Sequence, residues 1–404
     1  MVGEGPAMSW RETCIMDERL CFVASCLAGE ESVSALCGHF GISRKTGHKW
    51  LARYRSDGPA GLEDRSRAPQ TNPRELAAEV VEAVVSVRYR HPSWGPRKVK
   101  AWLEDHRPET AWPAASTIGG VFDRAGLTRP RRRRRRAVPQ SVPLAACRAA
   151  NDLWCADFKG WFLTGDGIQV EPLTVSDGHS RFLIRCQAVG RADERHVWPV
   201  LADAFWEYGL PRVLRSDNGP PFASLATAGL SRLAVKLIKA GVTPHRIAPG
   251  KPQENGRHER LHLTLKQDTA SPPARSLAEQ MARFERFREI YNTERPHEAL
   301  GQVPPARVYQ PSPRRFDGVL RSPEYPADTA VRRVRRHGTV KWRGEEVFIS
   351  EVLAGEPVGL FAIADDVWLV KYGPIVLGTM KGRQGFIRIG PGRASRPDAN
   401  RNTP

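Results

Sequence analysis

The sequence contains no run of about 20 apolar residues, the length a helix needs to cross a bilayer, so a helical membrane span is excluded and no membrane partner is expected. Its first 15 residues lack the charged start and apolar stretch of a secretory signal and are expected to be disordered. Cysteine is sparse: Cys14, Cys21, Cys26, Cys37, Cys147, Cys155 and Cys186 make seven, an odd number with no CxxC pair and no zinc-type spacing to histidine. A disulfide scaffold and a zinc module are therefore excluded, and reduced thiols are expected. Acid is scarce relative to base, with Asp+Glu 44 against Lys+Arg 62 and a net charge of +18. A surplus of that size fits a polyanionic partner, because neutralising phosphates releases condensed counterions.

The 404 residues, 40% of them hydrophobic, exceed one ordinary domain and predict a multidomain chain. Residues 16–60 read as three short helices. Gly41 separates Ser32–Phe40 from a helix over 44–54 capped by Ser43, and Val33, Leu36, Phe40, Ile42, Trp50, Leu51 and Tyr54 fall at core spacing. Arg44, Lys45, His48 and Lys49 stay outside at the start of the third helix. That is a helix-turn-helix pattern, whose second helix suits the major groove. Residues 72–127 repeat the plan, with Asn72, Pro73 and Glu75 as a helix start and His91-Pro92-Ser93-Trp94-Gly95-Pro96 as a break. Residues 128–149 form a basic linker in which Arg131, Arg132, Arg133 and Arg134 continue to Arg136. Such a like-charge run does not fold alone and suits phosphates or a minor groove.

Residues 150–310 alternate strand and helix patterns in the order βββ-α-β-α-β-α, predicting an α/β core with a mixed five-stranded sheet. Residues 330–385 switch to short strands with Gly, Pro and Asp turns, predicting a small β-barrel, and 386–404 read as a disordered tail. Three carboxylates occupy comparable points. Asp157 interrupts the apolar first strand, where Asp is normally avoided. Asp217 follows the strand at 212–216, and Glu259 lies in the first turn of a helix. Converging carboxylates make a hard oxygen site suited to Mg²⁺ or Mn²⁺, and two such ions support phosphoryl displacement. Taken singly, each has an ordinary reading as a turn former or surface acid.

Four segments supply a pattern: W-x-x-D-F-K-G from Trp154, T-V-S-D-x-x-S-R-F from Thr174, S-D-N-G-x-x-F from Ser216, and P-Q-x-N-G-x-x-E from Pro252 with Leu265-Lys266 following. Together they resemble the integrase catalytic core of insertion-sequence transposases and retroviral integrases. The resemblance implies an RNase H-like fold and a metal triad of Asp157, Asp217 and Glu259. The family glutamate follows the glycine by three, which selects Glu259 over Glu254. The 42 positions from Asp217 to Glu259 exceed the usual spacing, a surplus assigned to 225–240. Lys266, seven residues beyond Glu259, returns to its helical face. Lys159 shares a strand face with Asp157. Arg257 is a further candidate DNA contact, and Asp177 reads as a turn residue. Asn292–Leu300 (NTERPHEAL) also matches these transposases and reads as structural.

The reading is a transposase that binds its element's ends and joins them to target DNA, assembled as a homodimer or larger synaptic complex. It would work in the cytoplasm, associated with the bacterial nucleoid. A target-choosing partner ATPase is a further expectation. The rival readings are a DNA-binding regulator with an inactive core and an RNase H-type nuclease.

Overall fold

A computed structural model of the chain describes residues 14–65, 75–128, 147–247, 256–382 and 385–389. Arg131, Arg132, Arg133 and Arg134 lie outside the described residues, as do Asn72, Pro73 and Glu254. The chain divides into two compact units, residues 1–76 and 77–404.

The first unit holds α1 (Ile15–Ala28), α2 (Val33–His39) and α3 (Arg44–Asp57). Serine caps start the second and third helices: Ser32 Oγ accepts from Ala35 N–H and Ser43 Oγ from Thr46 N–H. Gly41, at φ +63°, turns the chain between them. Phe22, Val23, Leu36, Cys37, Trp50, Leu51 and Leu62 form the core. Gly47 permits the closest approach, since a Cβ there would fall 2.4 Å from Cys37 Sγ and 2.8 Å from the Phe22 ring. The helix-turn-helix expectation is met, with α3 running three residues further than the sequence pattern indicates.

The second unit begins with α4 (Ala78–Arg90), α5 (Pro96–His106) and α6 (Ala115–Arg124), packed through Val84, Val87, Trp94, Val99, Leu103, Ile118, Val121 and Phe122. The expected start at Asn72 and Pro73 lies outside the described residues; Glu75 precedes the helix, which begins at Ala78 with no side-chain cap from Ala77.

Next come β1 (Leu153–Phe158), β2 (Phe162–Leu163), β3 (Gln169–Asp177), β4 (Leu183–Val189), α7 (Glu194–Tyr208), β5 (Val213–Ser216), α8 (Arg232–Lys239), β6 (Thr243–Arg246), α9 (Gly256–Thr269) and α10 (Leu277–Thr293). The sheet runs β2-β3-β1-β5-β6, with β4 also on β3. It is mixed: β3 is antiparallel to β1 and β4, whereas β5 is parallel to both β1 and β6. There are six strands rather than the expected five. Gly160, at φ +81°, interrupts the single first strand expected over 153–162, and Phe162–Leu163 then pairs separately with Val170 and Gln169. Strand alternation sends Trp154, Ala156, Leu173, Val175 and Ile184 to α7 and α8. Val170, Leu183 and Cys186 meet Leu261 and Leu265 of α9 and Phe284 and Phe287 of α10. Helices thus cover both faces.

The C-terminal strands are β7 (Ala330–Arg333), β8 (Thr339–Trp342), β9 (Glu345–Phe348), β10 (Pro357–Ala364), β11 (Val367–Tyr372), β12 (Ile375–Lys381) and β13 (Gly385–Arg388). They form an antiparallel sheet β13-β12-β11-β10-β7 and a separate β8–β9 hairpin. Among the described residues the ladder does not close. Instead the hairpin sits with β8 against β7 and β9 against β13, around one core. That core is shared with the central domain. Helix α8 turns Leu233 and Leu237 to the mixed sheet and Ala234, Val235 and Ile238 to Val334, Val340, Leu353 and Tyr372. Thr227 Oγ1 donates to Ile349 O at 2.5 Å, and Lys239 pairs with the nearly buried Glu356 at 2.6 Å.

The HPSWG break and the NTERPHEAL segment meet each other. Lys98 donates to Pro296 O, Arg97 pairs with Glu298 at 3.3 Å, and Ser93 Oγ reaches Asp268 of α9 at 3.3 Å. His91 stacks on Trp94, and Arg295 reaches Thr264 of α9 at 3.4 Å. Burial, reinforced by Arg90 and Arg295, pushes the His91 imidazole down to about 4. Burial, with Lys98 and Arg295, pushes His297 down to about 3. Between those values and the ordinary 6.5 the unfolded chain binds more protons than the folded one, so stability rises with pH across this window and is lost on acidification. We expect the unfolding free energy of the chain in urea to fall by about 2–3 kcal/mol per histidine between pH 7 and 4.5. A His91→Gln/His297→Gln variant should show a shallower pH slope. An unchanged slope would mean the histidines are not buried as neutral groups.

Candidate active site and nucleic-acid interface

The parallel pairing of β1 with β5 fixes two of the three carboxylates. Leu153 lies opposite Val213, Trp154 opposite Leu214 and Cys155 opposite Arg215. Two residues past the last pair stand Asp157, still inside β1, and Asp217, just after β5, at equivalent positions toward the same end of adjacent strands. Adjacent strands lie about 4.8 Å apart, and residues in matching register of a parallel pair share a sheet face. Carboxyl ends of strands are where sites gather in such sheets.

Each aspartate is held by its neighbours. Asp157 lies opposite Thr174 of β3, whose hydroxyl donates to the Asp157 carbonyl at 3.1 Å. Its carboxylate Oδ2 is 3.9 Å from His262 Nδ1 of α9, and both side chains are largely buried, at 15% and 10% exposure. Asp217 Oδ1 accepts from Gly219 N–H at 3.2 Å, which curls the SDNG turn around the carboxylate. A Cβ on Gly219 would sit 3.0 Å from Asp217 Oδ2, so a side chain here would push that carboxylate aside by a few tenths of an ångström.

Glu259 is exposed in the first turn of α9, three residues before His262. Residues three apart are neighbours on a helix, so Glu259 lies one turn from the inward His262. Among the described residues no three His, Cys, Asp or Glu side chains are gathered closely enough to hold a metal ion. The donor set itself fits a hard divalent cation, being three carboxylates with no thiolate among them.

Of the expected DNA contacts, Arg44, Lys45, His48 and Lys49 are exposed on the first two turns of α3. Lys49 also lies over the Trp50 ring at 4.4 Å. Lys159 follows β1 directly and is half-buried, its backbone N–H donating to Pro172 O. Lys266 is exposed on α9 beside Glu259 and Leu263. Arg257 lies on the backbone of α9, its side chain outside the described residues. Asp177 is buried and caps its turn by accepting from Asn151, His179 and Ser180, the structural role expected of it. Sequence reasoning missed His262 and Thr174. The signal for the first was the histidine one helical turn beyond Glu259, and for the second the threonine that opens the TVSD segment.

An integrase core domain model matches residues 148–252 and a second one residues 240–305. A helix-turn-helix domain model matches residues 18–70, and a homeodomain-like one residues 46–122. These matches give the chain an integrase core domain preceded by helix-turn-helix domains. More narrowly, it is similar to proteins of insertion elements. The chain is 29% identical over 272 residues to the insertion element IS476 uncharacterized 39.2 kDa protein of Xanthomonas euvesicatoria, covering 66% of this chain and 75% of that one. It is 29% identical over 233 residues to the insertion element IS407 uncharacterized 31.7 kDa protein of Burkholderia multivorans, covering 57% and 79%. Among solved structures, the simian T-cell lymphotropic virus intasome in complex with PP2A regulatory subunit B56 gamma aligns at 14% identity and a TM-score of 0.37, over 77% of this chain and all of that one. Among the described residues no helix is long and apolar enough to cross a membrane.

Gly219→Ala should displace the Asp217 carboxylate. We expect strand-transfer activity on the element's own ends to drop roughly tenfold or more, with the melting temperature within about 3 °C of wild type. Full activity would show that the turn does not position Asp217.

Proposed function

We propose that Asp157, Asp217 and Glu259 form the catalytic triad and hold a pair of Mg²⁺ or Mn²⁺ ions, and that the protein cuts its element's ends and joins them to target DNA. The observation that carries this reading is the equivalent placement of Asp157 and Asp217 on adjacent parallel strands, with α9 and its Glu259 tied to Asp157 through His262. When bound, the ions supply the Lewis acidity that activates an attacking oxygen and stabilises the departing one.

The chain's own residues do the rest. Arg44, Lys45, His48 and Lys49 read the element ends from the major groove, and Arg131, Arg132, Arg133 and Arg134 neutralise flanking phosphates. Lys159, Arg257 and Lys266 hold the reacting strand against the triad. In the first step water attacks a phosphodiester and the strand's 3′-oxygen leaves as a hydroxyl. In the second that 3′-hydroxyl attacks a target phosphodiester, one P–O bond forming as another breaks, with no covalent link to protein. Joining two ends in concert calls for a homodimer or larger assembly.

Asp157→Asn, Asp217→Asn and Glu259→Gln should each reduce Mn²⁺-dependent cleavage and strand transfer on the element's ends by a factor on the order of 10³ or more, with DNA affinity retained. Arg44→Ala/Lys45→Ala should do the reverse, weakening end binding and lowering its salt slope by about 2. Strand transfer persisting in Asp157→Asn would refute the triad. Sequence-specific binding with no cleavage by the native chain would favour the regulator reading.

A further inference from the structure

His262 faces inward from α9, close to the Asp157 carboxylate, and shares a hydrogen-bonding partner with it. Thr174, fully buried, stands opposite Asp157 in the β1–β3 ladder. Its hydroxyl donates to Asp157 O at 3.1 Å and lies 2.8 Å from His262 Nε2. The imidazole and the Asp157 carbonyl thus share one hydroxyl, and Nδ1 lies 3.9 Å from Asp157 Oδ2.

One threonine oxygen therefore joins β1, β3 and α9 at the first triad residue, and Glu259 stands three residues before that joint. We propose that His262 is a positioning residue: through Thr174 it fixes α9 on β1, so that Glu259 and Asp157 face the same ion. This rests on the triad assignment above. The contact is not needed to hold α9 in place generally, because Leu261 and Leu265 already bury that helix against Phe284 and Phe287. The joint sets register and orientation at its N-terminal turn.

The test is Mn²⁺ titration of the metal-free full-length protein, with free Mn²⁺ read by electron paramagnetic resonance, alongside thermal melting without metal. Partners that orient a metal ligand typically contribute 10–100-fold in affinity, so His262→Ala and Thr174→Val should each weaken Mn²⁺ binding about tenfold. The double variant should lose no more than either single one, because both remove the same bond. His262→Gln, whose amide nitrogen reaches the Nε2 position, should retain binding within about threefold, whereas His262→Asn, too short for Thr174, should not. If His262→Ala does not fold, the Gln/Asn pair and Thr174→Val carry the test. A lowered melting temperature with unchanged Mn²⁺ affinity in these variants would overturn the proposal in favour of packing alone. So would additive losses in the double variant. Asp157→Asn serves as the control: if it binds Mn²⁺ like wild type, the triad assignment has failed, and this inference with it.

Discussion

The rest of the site depends on the parallel alignment of β1 with β5. Parallel strands need a long crossover, and here α7 supplies it, burying Val197, Val200, Leu201, Ala204 and Phe205 against the sheet. That crossover lets two chain segments 60 positions apart arrive in matching register. An antiparallel pairing would put Asp157 and Asp217 at opposite ends of the sheet. A slip by one residue would turn one of them to the other face. In the proposed triad Glu259 comes from a helix, whose placement is set by side-chain contacts rather than by a ladder, and the proposed role of His262 and Thr174 follows from that.

Helix α8 carries a second constraint. Most surface helices bury one stripe, but α8 is apolar on two sides and lies between the mixed sheet and the C-terminal strands. Its buried ion pair, Lys239 with Glu356, is reinforced by the hydroxyls of Ser322 and Tyr372. Burial alone would raise the Glu356 carboxyl, yet the bonds from Lys239 and Ser322 outweigh it and hold the group below its usual range. The C-terminal strands are thus built onto the catalytic domain. The segment that seats them, from Thr227 through α8, lies in the chain between Asp217 and Glu259.

Much of this was legible from the residues. Capping serines at Ser32 and Ser43 announced the first helices, and Asp157 announced itself by standing where a strand avoids charge. The limits of that reading have physical causes. Gly160 reads as an ordinary strand glycine until its positive φ is seen, so the sixth strand was hidden. The HPSWG and NTERPHEAL segments carry no periodicity that reveals a contact about 200 positions apart, such as that between Arg97 and Glu298. The C-terminal strands were legible, but among the described residues their ladder does not close into the expected barrel; their sharing of a core was hidden because α8's second apolar face reads equally well as ordinary helix burial.

The central claim is that Asp157 and Asp217 hold the same ions. Anomalous scattering from crystals of the full chain soaked in Mn²⁺ tests it most directly. The account predicts a peak within about 2.3 Å of a carboxylate oxygen from each aspartate, with Glu259 turned toward it. Peaks confined to other carboxylates, with none bridging Asp157 and Asp217, would contradict it.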